Sequence, residues 1–311
     1  MDKVKPLDFS ITSVNDSSKA FRTDYIFLTN EFGILYDMSH IIQNLLSTHR
    51  SMELPGPFFF RLNQPYRLRE GRIVLLLQGQ VTIRYNLIEY TVYPSQILVV
   101  PIGSIVEIIH VRPDTILRMT GFSPSFTPFA RRDEHIEYYW GYKQSLIIPL
   151  SENELEIADG YFKLIWNTVQ AEEFYRDAVQ HLIVAFLHYI NYIRREFHST
   201  SDVRITHQDE LFNRFISLVN KHSIRERNVG FYADKLCLTP RYLNTVIRQV
   251  SGQTVMDWIN QAIIIEAKVL LKHDNLLIYQ VADKLNFSNP SFFCKFFKRM
   301  TGKTPQEYQG S

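Results

Sequence analysis

Ala233-Asp234-Lys235-Leu236, then Thr239-Pro240-Arg241-Tyr242-Leu243-Asn244-Thr245-Val246-Ile247-Arg248, then Gly252 and Thr254, is a pattern this chain writes twice. The second copy runs Ala282-Asp283-Lys284-Leu285, then Ser288-Asn289-Pro290-Ser291-Phe292-Phe293-Cys294-Lys295-Phe296-Phe297-Lys298, then Gly302 and Thr304. The offset is 49 at the Ala-Asp-Lys-Leu segments and 50 from Leu243/Phe293 onward, so one residue is inserted in the second turn. Each copy reads as a short helix, a turn and a second helix that opens at a polar cap. That is the shape of a helix-turn-helix, whose second helix can lie in a DNA major groove. Helical hairpins also repeat in solenoids, but those need three or more copies and only two are present.

The second helices can be oriented by their spacing. Thr239-Pro240 fits a Thr cap with Pro in the first turn. Leu243, Val246 and Ile247 form the buried face, which leaves Arg241, Asn244, Thr245 and Arg248 outward. Asn pairs bidentately with adenine and Arg with guanine. In the second copy Phe293, Phe296 and Phe297 make the apolar face, Ser291, Cys294 and Lys295 point to the groove, and Lys298 points to the backbone. Ser288 and Asn289 sit at the helix N-terminus, where free amides favour a phosphate. The plain alternative is that these are solvated polar faces. Between the copies, Trp258, Ile259, Ala262, Ile263, Ala267 and Leu270 give the stripe of a joining helix over Val255 to Leu271. Such a linker would hold the two reading helices about one DNA turn apart, roughly 34 Å.

The segment from about 210 to 309 resembles the DNA-binding domain of the AraC/XylS family of bacterial transcription regulators. The likeness is carried by Tyr232 to Leu236, Leu238 to Leu243, Glu266 to Leu271, Phe287 to Phe293 and Phe296 to Tyr308. Asn286 stands where the family usually has Gly, and Asn tolerates the left-handed conformation required there. Gln309 stands where a basic residue often follows. The resemblance implies Arg241, Asn244 and Thr245 toward bases and Arg248 toward phosphate. It also implies double-stranded DNA as a partner, a small-molecule effector, a homodimer, a contact with RNA polymerase, and activation more often than repression.

With 311 residues the chain has room for two or three domains. The net charge of +2 hides an asymmetry, since residues 205–311 hold 14 Lys+Arg against 9 Asp+Glu. A basic C-terminal part on a slightly acidic body suits a polyanion partner. The two cysteines, Cys237 and Cys294, lack metal-ligand spacing, and a reducing cytosol fits them. Met1 to Pro6 has no apolar core for export. Ala178 to Ile193 is too short and too polar to span a bilayer. A bacterial cytoplasmic protein with no membrane association is expected.

Residues from about 20 to 125 read as strands. Ile73 to Leu77, Val81 to Tyr85, Tyr90 to Val92, Ile97 to Val100 and Val106 to Ile109 are separated by Gly, Asn and Pro turns. Regular short strands suggest an antiparallel barrel or sandwich, and their order resembles the cupin-like sensor domain of the same family. His40 to Leu46 fits a short helix or a strand. Ser151-Glu152-Asn153-Glu154 is a capping-box start. Tyr175, Val179, Leu182, Phe186, Tyr189 and Ile193 then follow 4-3-4-3-4 spacing, a heptad-like stripe. It suits a helix packed on its own domain or a dimer interface, and the architecture favours the interface. His198 to Asp202 reads as a linker.

No residue set supports catalysis or a metal. His40, His49, His110 and His135 lack ligand spacing, and no nucleophile elbow or phosphate-binding loop is present. Arg84, Tyr85, Tyr90 and Tyr93 are available as polar groups for a ligand pocket, but alternation alone does not say which point inward, so the effector-binding residues stay unknown.

The expected fold is α+β. An N-terminal cupin-like antiparallel β-barrel over 1–150 holds the sensor, 151–204 is a helical dimerisation segment with a linker, and 205–311 is an all-α domain with two helix-turn-helix units. The expected function is sequence-specific DNA-binding transcription regulation, as an activator responding to a ligand in the barrel, without catalysis or cofactor. The alternative is a cupin-type barrel enzyme with an attached helical domain.

Overall fold

The computed structural model describes residues 20–39, 42–43, 52–53, 59–60, 62–126, 147–200, 206–273 and 276–310. Its N-terminal part is two antiparallel sheets stacked face to face. The larger has the order β1 (Phe21–Arg22), β2 (Ile26–Leu28), β3 (Phe32–Leu35), β12 (Ile116–Phe122), β7 (Gly71–Gln78), β10 (Gln96–Val100), β13 (Ile147–Pro149). The smaller runs β6 (Tyr66–Arg67), β11 (Ile105–Val111), β8 (Val81–Tyr85), β9 (Ile88–Val92), and β4 (Met52–Glu53) pairs with β5 (Phe59–Phe60). Leu76, Leu98, Leu117 and Met119 of the larger sheet meet Ile83, Val92, Val106 and Ile108 of the smaller in one core.

The barrel expectation is overturned, because neither sheet closes. Among the described residues, edge strands β1 and β13 of the larger sheet, and β6 and β9 of the smaller, each pair on one side only. A barrel needs one continuous ladder. Two stacked sheets satisfy the same inside–outside alternation with a shared core and open edges, so the strand pattern could not tell the two apart. The fold remains α+β, with β-sheets first and helices after, and the cupin-like description does not apply.

Two helices cover the outer face of the larger sheet. Helix α1 (Glu152–Val169) starts at the expected box, in which Ser151 N–H donates to Glu154 Oε2 at 2.7 Å. Helix α2 (Arg176–Thr200) packs beside it. Phe162, Ile165, Phe186 and Ile190 lie on Ile34, Ile73, Leu75 and Ile97. This explains the apolar run in β7. Val74 and Leu76 face the inter-sheet core while Ile73 and Leu75 face the helices, so the strand is buried on both sides.

The heptad-like stripe therefore has an occupant within the chain. Val179, Phe186 and Ile193 are buried against the sheet, Leu182 and Tyr189 are half-buried beside them, and Tyr175 is exposed. Heptad spacing and packing on one's own sheet use the same face of a helix. The first residues of the expected linker, 198–200, continue α2, and 201–205 lie outside the described residues, as do Met1 to Pro6 and most of His40 to Leu46.

The C-terminal part is helical: α3 (His207–His222), α4 (Val229–Lys235), α5 (Pro240–Ser251), α6 (Val255–His273), α7 (Ile278–Lys284), α8 (Pro290–Thr301) and α9 (Pro305–Gly310). It has two cores, one around Phe215, Tyr232, Leu243, Ile247 and Ile259, the other around Leu271, Val281, Phe293 and Phe297. Among the described residues no helix is long and apolar enough to cross a membrane.

Since Phe186 is fully buried, Phe186→Ala is expected to cost about 3–5 kcal/mol of stability, read by urea unfolding. Phe186→Glu should yield insoluble or unfolded protein rather than a folded monomer, as sedimentation and circular dichroism would show.

Candidate nucleic-acid interface

The repeat in the sequence is a repeat in space. α4 and α5 form one helix-turn-helix, α7 and α8 the other. Each first helix ends in a residue with left-handed backbone, Cys237 at φ 58° and Asn286 at φ 56°. Asn at the second position fits the turn, and Cys237 occupies the same conformation in the first. Each second helix opens at a cap followed by Pro. Thr239 Oγ1 accepts from Tyr242 N–H at 3.2 Å, and Asn289 Oδ1 accepts from Phe292 N–H at 2.9 Å. Each closes on a left-handed glycine, Gly252 at φ 72° and Gly302 at φ 77°, where a side chain would be strained.

The repeat continues one element further. Thr254 and Asp257 cap α6, with Thr254 N–H donating to Asp257 Oδ2 at 2.9 Å and Asp257 N–H to Thr254 Oγ1 at 3.2 Å. Thr304 and Glu307 do the same for α9 at 2.7 and 3.2 Å. The hydrogen bonds from Thr254 hold the Asp257 carboxyl below its usual range, and the charge of Arg248 adds to this. Those from Thr304 do so for Glu307, helped by Lys298. Arg248 and Lys298 thus occupy corresponding electrostatic positions in the two units.

The structure buries Leu243, Val246, Ile247, Phe293 and Phe297 as expected, with Phe296 half-buried. Arg241, Thr245, Arg248, Ser288, Asn289, Ser291, Lys295 and Lys298 are exposed. Asn244 and Cys294, which correspond to each other, are half-buried. Asn244 Oδ1 accepts the Val255 N–H at 3.2 Å, and Cys294 packs on the second core, so both lean away from the outer surface. Asn289 is engaged as the cap, and Thr245 Oγ1 donates to the Arg241 carbonyl at 3.0 Å.

Tyr242 and Phe292 were missed by the sequence reading. They hold the same position in the two helices and are 47% and 56% exposed. Paired exposed aromatics on two otherwise polar surfaces are candidates for a contact face. Their place just before the buried Leu243 and Phe293 was the available signal.

In the sheets, Arg84 lies outside the inter-sheet core and pairs with Glu107 and Glu89. Tyr85 and Tyr90 pack at the edge of that core, and Tyr93 is exposed. A cavity of about 80 Å³ lies between the sheets, lined by Tyr66, Arg72, Ile83, Val92, Leu98 and Met119 among others. Behind this mostly apolar lining Arg72 donates to the buried Glu70, with Tyr66 Oη 3.3 Å from Arg72. Burial, the largest single effect, would lower the Arg72 pKa, but the charge of Glu70, the neighbouring Tyr66 and the hydrogen bonds to both together outweigh it, and the guanidinium is pushed above its ordinary value. Among the described residues no group of three or more His, Cys, Asp or Glu stands together as a metal site. His110 is exposed, and His40, His49 and His135 lie outside the described residues.

Residues 232–311 match the sequence model of the helix-turn-helix domain. The chain is 27% identical over 104 residues to the regulatory protein PocR of Salmonella typhimurium, a match covering 33% of this chain and 34% of PocR. It is 24% identical over 117 residues to the transcriptional activator RhaR of Salmonella schwarzengrund, covering 38% and 42%. Over 281 residues it is 23% identical to the arabinose operon regulatory protein of Salmonella typhimurium, covering 83% of this chain and 90% of that one. All three are regulatory proteins, which favours a regulator over an enzyme.

Because Asp257 is held ionised by folding, its contribution is present above the unfolded carboxylate pKa of about 3.9 and is lost as pH falls through the lower folded value. Asp257→Asn should therefore destabilise the protein by on the order of 1 kcal/mol at pH 7. The deficit should shrink toward zero in strong acid, as paired denaturation curves would show. The paired caps, the helix-turn-helix match over residues 232–311 and the likeness to regulatory proteins make this chain a sequence-specific DNA-binding transcription regulator.

Proposed function

We propose that this chain is a ligand-responsive activator, in which a small apolar molecule held between the two sheets alters how the sheets engage the DNA-binding helices. The observation that carries this is the β8–β9 hairpin. Ile83 and Val92 from its two strands line the cavity, while its tip is planted in the first helix-turn-helix unit. Tyr85 pairs with Ile88, leaving a two-residue turn at Asn86 and Leu87. Such turns want positive φ at both positions, usually Asn-Gly. Asn86 complies at φ 43°, but Leu87 sits at φ 88°, a conformation costing about 1–3 kcal/mol for a leucine. The side chain is buried in the core that holds Leu211, Phe215 and Trp258, and that burial offsets the strain. Asn220 of α3 donates to the Asn86 carbonyl at 3.3 Å, and Arg67 of β6 pairs with Glu266 of α6. A ligand that moves the hairpin moves the DNA-binding helices with it. Activation as the outcome draws on the likeness to RhaR.

In this reading α5 and α8 enter successive major grooves. Arg241 and Thr245, and Ser291 and Lys295, face base edges. Tyr242 and Phe292 offer apolar contact to thymine methyls. Arg248, Lys298, Ser288 and the amides capped by Asn289 hold phosphates. Asn244 and Cys294 support their helices rather than reading bases. Self-association, where it occurs, would use the outer faces of α1 and α2, where Ile157, Leu164 and Tyr192 are exposed. Contact with RNA polymerase follows from activation.

Mapping bound DNA across the genome, with transcript levels beside each site in cells with and without the protein, tests the function. Neighbouring transcripts should fall when the protein is removed, and a rise would overturn activation. Leu87→Gly removes both strain and plug. The full-length protein should then melt in two steps instead of one by calorimetry, and reporter output should stop responding to ligand. Lys295→Ala should relax preference at one or two base positions, each worth about 1–3 kcal/mol. Lys298→Ala should weaken all sequences alike and lower the salt slope by about one unit. Binding titrations across operator variants at two salt concentrations separate the two.

A further inference from the structure

The two helix-turn-helix units touch at a second place besides α6. Arg227 immediately precedes Asn228, the cap of α4 in the first unit. Its Nη2 donates to the Leu285 carbonyl and lies 3.4 Å from the Asn286 carbonyl, at the end of α7 in the second unit. The guanidinium carbon sits 4.0 Å from the centroid of the Phe287 ring. Phe287 and Phe296 pack on both cores, and Ile224, from the same loop as Arg227, packs on the second. Burial in this seam lowers the Arg227 pKa. The last carbonyls of a helix lack partners within it and attract a cation. A planar guanidinium can donate to them while stacking on a ring, which lysine's ammonium cannot do as well.

A single linking helix leaves its two ends able to bend and swivel. A second attachment away from its axis removes that freedom. Arg227 is such an attachment, joining loops 58 residues apart in the chain. We propose that Arg227 is a positioning residue that locks the two reading helices in one relative orientation, so that the protein accepts a single spacing between the two sequence blocks of its DNA target. This rests on the reading of α5 and α8 as major-groove helices.

The test is selection by the purified full-length chain from a library of randomised duplexes longer than two helical turns. The wild-type pool should hold two sequence blocks at one spacing, near one turn or about 34 Å. Arg227→Met keeps the apolar stem but loses the donor. Its pool should keep both blocks and spread over neighbouring spacings, with the preference for the wild-type spacing reduced about tenfold in competition binding. Arg227→Lys should restore part of that preference. If Arg227→Met fails to fold by circular dichroism, Phe287→Leu, which removes the ring under the guanidinium, carries the same expectation. A folded variant that binds more weakly at an unchanged single spacing would overturn the proposal and make Arg227 a phosphate contact or a plain stabilising residue. A wild-type pool with one block would instead sink the two-groove reading, and the proposal with it.

Discussion

Helix α6 is buried in two cores at once, and the rest of the molecule is arranged around it. Trp258, Ile259, Ala262 and Ile263 belong to the first core, Ile264, Ala267, Leu270 and Leu271 to the second. The apolar surface must therefore pass around the helix between its two halves. That passage sets the mean angle between the units through side-chain packing, and the seam at Arg227 holds them to it. No Gly or Pro interrupts Val255–His273, so the helix has no sequence-encoded kink. Alongside these patches Glu266 receives Arg67 from the sheets. One stiff element is thus the common reference for both reading helices and for the sheets above them.

The C-terminal part was legible because its signals are local. Caps, Pro in the first turn and glycine at the end recur at fixed offsets, and each has a backbone reason that does not depend on distant partners. Strands β7 to β11 were legible for the same reason, from their turns. What escaped depended on non-local partners. Whether sheets close is decided at edge strands, and nothing in Phe21–Arg22 or Ile147–Pro149 reports what lies beside it. The stripe from Val179 to Ile193 gives a face but no identity for what covers it, and here the cover is the chain's own sheet. Asn244 looks outward by spacing, yet it is half-buried, and its Oδ1 is engaged by the Val255 N–H at the start of α6. Tyr242 and Phe292 were passed over because a large aromatic is expected inside.

Leu87 breaks a local rule where two parts of the molecule meet. A hairpin turn of this kind would form more easily with glycine, and Asn86 before it already satisfies the turn. Leucine makes the isolated hairpin worse and the docked hairpin better. Local propensity and tertiary contact thus pull in opposite directions at one residue. Such conflicts concentrate at functional positions, because a contact that must form and release does so most readily when something opposes it. The buried Arg72–Glu70 pair, whose arginine lines the cavity, is a second costly feature of the same sheets.

In the proposed reading, in which a ligand between the sheets acts through the β8–β9 hairpin, the docking of the sheets constrains how regulation works. With the sheets docked on α3 and α6, Arg241, Thr245, Arg248, Lys295 and Lys298 all remain exposed. The docked arrangement does not cover the reading surfaces, so a ligand gains nothing by uncovering them. A ligand can shift behaviour only by as much as it prefers one arrangement over another. Its leverage must therefore lie in the relation between the sheets and α6, through the hairpin tip and the Arg67–Glu266 pair, both on the side of the first unit and the linking helix. The second unit meets the first through α6 and through the seam of Ile224, Arg227, Phe287 and Phe296. It follows that a change at the hairpin reaches α8 only as a movement of the whole helical part, carrying the two reading surfaces together.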